Sequence, residues 1–81
     1  MAKPSPSHSG NPILISLGQA IKEQRLTKGL SQESLALEVG LDRSYMGGIE
    51  RGEHNVALVN IHKIANSLDI EAWVLLKKAK I

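Results

Sequence analysis

From Pro12 onward the apolar positions recur with a helical period and show none of the alternation of a strand. Leu14, Leu17 and Ile21, with the stem of Lys22, share one side of an expected first helix, which Gly29 closes after Lys28. Ser31 is placed to cap a short second helix whose Leu35, Ala36 and Val39 face inward, and Gly40 has the position of its left-handed stop. Leu41 anchors the connection. Asp42 caps a third helix running through Arg43 to about Arg51, with Met46 and Ile49 on its buried side and Gly52 ending it. Leu58, Ile61, Ile64, Ala65 and Leu68 are spaced for the inward face of a fourth helix. Ile70 plugs the following turn, and a short fifth helix carries Trp73, Val74, Leu75 and Leu76, with lysines at the end where the helix dipole favours them. The pattern predicts an all-α fold, a compact five-helix bundle occupying residues 13–81.

Within that bundle the stretch from Ser31 to Gly52 has a recognisable plan: a capped short helix, a tight glycine-containing turn and a second capped short helix. That is the layout of a helix-turn-helix, in which the second helix enters the major groove of DNA and the first crosses the backbone. The second helix holds an oddity, "RSYMGGIERG". Gly47 and Gly48 each weaken a helix interior by about 1 kcal/mol relative to alanine. With Met46 and Ile49 inward, both glycines are expected on or near the groove side, where missing side chains would let the backbone approach DNA and leave Arg43, Ser44 and Tyr45 to reach base edges. The competing reading is that the glycines only allow another helix to pack closely.

Composition narrows the classes. At 81 residues the chain is one domain near the lower limit for a single apolar core, and without cysteine it has neither disulfides nor thiolate metal sites. No apolar run approaches the ~18 residues of a membrane span and no signal-peptide layout is present, so a cytoplasmic protein is expected. The net charge of +2 is too small to identify an anionic partner by itself. Residues 1–12, rich in proline and serine, are expected to be a flexible tail, either non-functional or brushing a phosphate backbone through Lys3 and His8.

The segment from Leu17 to Ile70 resembles the XRE family of helix-turn-helix proteins, which includes lambdoid repressors and Cro. The resemblance extends over residues 14 to about 76 and is carried by "KGLSQESLA", "VGLDRSY" and "IERG"; "GLDRSYMGGIERGEHN" is most similar to the controller proteins of restriction-modification systems. It implies a lambda-repressor-like DNA-binding domain acting as a homodimer on a near-palindromic stretch of double-stranded DNA. It also implies a structural ion pair between Arg25 and Glu50 and a phosphate contact from Gln32. Arg43, Ser44 and Tyr45 become base and backbone readers, while Arg51, His54 and Asn55 meet the sugar-phosphate backbone. Val56, Trp73 and Val74 are the expected dimer contacts. The chain departs from the family pattern at Gly47, where a polar residue is common, and at Asp69, where a helix-terminating glycine is common.

Other chemistries find little support. His54 and His62 are not in i, i+4 register and no cysteine joins them, so no metal is expected. The carboxylates are scattered over caps and surfaces, no nucleophile, base and acid stand together by spacing, and the two glycines lack the GK[ST] that would make a phosphate loop. Neither an enzyme nor a cofactor is expected. A protein-interaction module or antitoxin built on the same fold is the alternative to a transcriptional regulator.

Overall fold

The computed structural model describes residues 9–81, so Lys3 and His8 lie outside the described residues. Five helices follow in order: α1 (Pro12–Thr27), α2 (Gln32–Val39), α3 (Arg43–Glu50), α4 (Leu58–Ser67) and α5 (Ala72–Lys78), with no strand among the described residues. None of these helices is long and apolar enough to cross a membrane.

Each start has a local cause. Asn11 caps α1 by accepting the Ile13 N–H at 2.9 Å, and Pro12 takes the first helical position, where its missing N–H is no loss. Both residues belong to the stretch expected to be tail. Ser31 accepts the Ser34 N–H at 3.0 Å to start α2, and Asp42 accepts the Tyr45 N–H at 3.2 Å to start α3. Between them Gly40 adopts φ +77°, and the Leu41 N–H reaches back to the Ala36 carbonyl at 2.9 Å. The turn of the helix-turn-helix is thus Gly40, Leu41 and Asp42.

Helices of seven to ten residues are marginal alone, so packing must hold α2 through α5. The centre is formed by Ile21, Leu35, Met46, Ile49, Ile64 and Leu75, all fully buried, each worth roughly 1.5–3 kcal/mol of burial. Helix α1 packs on α3 and α5, and α2 packs on α3 and α4. Asp69 stands at φ +60° after α4, a conformation aspartate tolerates better than most residues. Lys28 holds it there, its Nζ 2.6 Å from Asp69 Oδ2 and donating to the Ser67 carbonyl at 2.6 Å.

One expected core residue and one expected dimer contact are corrected. Leu58 is 71% exposed: α4 begins at this residue, and its first turn projects beyond the layer that covers Ile61 and Ile64. Val56, expected at a dimer contact, is buried in the monomer core from the extended segment before α4.

Candidate nucleic-acid interface

An α-helix advances 100° per residue, so positions 43, 44, 47 and 51 of α3 and its C-cap fall along one side. With Gln32 from the first turn of α2 they line an open concavity of about 180 Å³. That is smaller than the ~300 Å³ at which small-molecule pockets begin, and its furniture is that of an anion or base-edge site. A second, larger concavity of about 420 Å³ adjoins it, running past Gln32 and Gly47 to Gln19 and Lys22 on α1. Arg43 opens α3, exposed and outside the ion pairs found among the described residues. Ser44 is half-buried.

Beneath this surface Arg25 and Glu50 form a buried fork: Nε donates to Oε2 at 2.8 Å and Nη2 to Oε1 at 3.0 Å. Arg25 Nη1 donates to the Leu30 carbonyl at 3.0 Å, so the pair ties α1 to α3 and to the start of α2. The hydrogen bond from Glu50 raises the already high Arg25 pKa further. Gln32 joins the group, its Nε2 donating to Glu50 Oε1 at 3.1 Å, which fixes its amide at the rim of the concavity.

The two glycines differ from each other. A Cβ at Gly47 would stand 3.1 Å from Arg51 Nη1 and 3.2 Å from Gln32 Oε1, so this residue is floored under side chains that line the concavity itself. Gly48 does not present the open, groove-facing surface expected of it. One residue further round the helix, it is covered by the folded-back loop, and a Cβ there would lie 2.5 Å from His54 Nε2. His54 is correspondingly drawn inward: its Nε2 is buried without a hydrogen-bond partner, and its ring meets that of Tyr45 at a centroid distance of 4.9 Å. Tyr45 is half-buried and packs on the core, so it faces His54 more than a groove. Asn55 is exposed.

Arg51 extends over the surface and is held by Glu53, Nε to Oε2 at 2.8 Å and Nη2 to Oε1 at 3.1 Å. The arginine's hydrogen bonds keep the Glu53 carboxyl below its ordinary range. On α5 Trp73 is 61% exposed, its Nε1–H donating to Glu71 Oε2 at 2.6 Å, and Val74 is half-buried. No cluster of metal-ligating side chains occurs among the described residues.

The sequence pattern missed three features. Gly18 is required where α1 crosses α3, since a Cβ there would collide with the carbonyl oxygens of Ile49 and Glu50. A lone glycine inside an apolar helical repeat was the available signal. Glu53 as partner of Arg51, and Leu37 and Val59 as exposed apolar residues, had no local signal.

Residues 21–72 match the family described as Helix-turn-helix. The control protein C.BamHI of Bacillus amyloliquefaciens is 45% identical over 67 residues, spanning 82% of this chain and 83% of that protein. The crystal structure of the restriction-modification controller protein C.AhdI from Aeromonas hydrophila superposes with a TM-score of 0.75 at 60% identity, covering 76% of this chain and 94% of that one. The biofilm regulator SinR, solved in complex with DNA, superposes with a TM-score of 0.70 at 36% identity over 74% of this chain and 97% of its own.

Proposed function

Because the chain belongs to the helix-turn-helix family of XRE type and is similar over most of its length to restriction-modification controllers, we propose that it is a DNA-binding transcriptional regulator of that kind, working in the cytoplasm as a homodimer on a near-palindromic operator. The concavity at Gly47 carries this reading. It gathers the Arg43 guanidinium and Ser44 hydroxyl at the N-terminus of α3 and the Gln32 amide in the first turn of α2, the two places from which such a motif meets DNA, with the Arg51 guanidinium joining them from the C-cap of α3.

Arg43 is the direct reader. Its exposed guanidinium can bond guanine O6 and N7 together, and loss of such a contact weakens binding by roughly 1–3 kcal/mol. Ser44 contributes a phosphate or weak base-edge bond. Gln32, pinned by Glu50, and Arg51 hold the backbone on either side of Gly47, and Asn55 meets it from the loop. Tyr45 and His54 act mainly by shaping the end of α3 against that loop. Gly47 itself is a buried floor beneath the Arg51 and Gln32 side chains. In the dimer the two copies of α3 lie about 34 Å apart, one turn of duplex.

Selection of bound duplexes from a random pool tests the reading directly, since it returns site, symmetry and half-site spacing together. Arg43→Ala is expected to weaken the selected duplex far more than random DNA, and Gln32→Ala to weaken both. A protein that shows no salt-dependent affinity for any duplex at low ionic strength is not a groove binder, and its fold would then serve a protein partner.

A further inference from the structure

Gly47 and Gly48 together leave a bare strip of α3 on which surface side chains lie. Arg51 Nη1 rests over Gly47. Glu53 Oε1 lies over Gly48, 3.5 Å from where a Cβ would stand, beside the His54 ring. Glu53 grips Arg51 along its Nε and Nη2 edge, leaving Nη1 as the edge at the concavity. The acid is the sheltered member of the pair, its side chain 19% exposed against 57% for the arginine. Through Arg51, which lines that surface together with Lys22, Gln32 and Arg43, the Glu53 carboxylate stands at its border, where it cancels one positive charge and repels phosphate.

Resting on the DNA-binding reading above, we propose that Glu53 is a specificity-determining positioning residue: it withholds Arg51 from indiscriminate phosphate contact and presents only the Nη1 edge. Random duplex, which offers no fixed partner to that edge, is bound more weakly. A duplex whose backbone or bases meet the edge in register loses little. The double glycine makes room for this arrangement: a Cβ at 47 would press on Arg51 Nη1, and one at 48 would displace the His54 ring beside Glu53.

Glu53→Gln removes the charge and keeps the shape. Wild type and variant are titrated by fluorescence anisotropy against a random-sequence duplex and a duplex selected by the wild-type protein, between about 50 and 200 mM salt. Glu38→Gln, on the exposed side of α2, controls for net charge. The variant is expected to bind random duplex about 3- to 10-fold more tightly at low salt, with the log-log salt slope steeper by about one. The selected duplex gains less, so discrimination contracts. Glu53→Asp, which retains the charge, keeps the wild-type slope, and in an Arg51→Ala background Glu53→Gln does no more than the Glu38 control. If Glu53→Gln unfolds, Arg51→Lys, which cannot make the fork, is expected to show the same loss of discrimination. Random-duplex affinity and slope no different from the Glu38 control, a gain that persists without Arg51, or undiminished discrimination in Arg51→Lys would each overturn the proposal. Wild-type protein that binds neither duplex removes the DNA-binding reading itself, whereas wild type that binds beside an insensitive Glu53 removes this inference alone.

Discussion

Gly18 and Glu50 bring the backbones of α1 and α3 so close that a methyl group at position 18 would lie 2.5 Å from the Glu50 carbonyl oxygen. Backbone cannot yield there as a side-chain tip can, so Gly18→Ala must force the helices apart. Overpacking of this kind is unfavourable by about 1–3 kcal/mol, more than the 0.5–1 kcal/mol alanine returns in helix propensity. Gly47→Ala has the opposite balance, because the atoms it meets are the ends of Gln32 and Arg51. Urea denaturation should find Gly18→Ala destabilised and Gly47→Ala at least as stable as wild type. The latter should nonetheless bind DNA more weakly, since the added carbon fills the concavity. A stable Gly18→Ala would contradict the geometry.

The Arg25 and Glu50 pair separates stability from recognition. Removing one half, as in Arg25→Ala, leaves a buried charge unpaired and is expected to lose roughly 3–5 kcal/mol, a large share of the ~5–15 kcal/mol available to a small domain. Replacing both by Met and Leu should restore much of that stability. It should not restore DNA affinity, because Gln32 loses the carboxylate that fixes its amide. A double variant that recovers both would show that Glu50 has no positioning role.

How much of this was legible in the sequence follows from the range of the interactions. Ser31, Gly40 and Asp42 act on backbone groups within three to five residues, so their caps and the turn between them could be read from a short window. The same holds for the inward Leu35, Met46 and Ile64, which only need a period. Gly48, Val56 and Leu58 depend instead on the path of residues 51–57, where the loop turns back to lay His54 on α3 and insert Val56 into the core. Gly52 allows that reversal, with φ +77° and its Cα pressed against Ile15 of α1. No periodicity encodes such a path. Of the candidate site, Gln32, Arg43 and Arg51, named by the family resemblance, line one concavity, but the resemblance said nothing of Glu53 or of the different surroundings of the two glycines.

The Arg51 and Glu53 fork should respond to acid. The pair holds the folded-state Glu53 carboxyl below its ordinary value of 4.5, so its contribution is fully present above that value and is lost as pH falls through the lower folded one. Carbon-detected NMR titration of the Glu53 side chain should therefore show a midpoint below 4.5, moving upward in Arg51→Ala. An unmoved midpoint would mean that the fork does not persist in solution.

The dimer contact expected around Trp73 can be examined with Val56 now assigned to the core. Trp73 keeps 61% of its surface exposed although tryptophan is among the residues most enriched at interfaces, and neighbouring Val74 is half-buried. In the monomer Trp73 carries only the bond to Glu71 Oε2, so Trp73→Asp should leave the core intact, whereas an aspartate facing its own copy across a two-fold axis is repelled. Sedimentation should find wild type dimeric and Trp73→Asp monomeric with an unchanged helical spectrum. Operator affinity should fall as well, because a single α3 reads only one half-site. Val56→Asp gives a different expectation, loss of the folded monomer itself, since it buries a charge without a partner. A folded Trp73→Asp protein that remains dimeric would move the interface elsewhere, with exposed Leu58 and Val59 at the start of α4 as the next apolar surface to test.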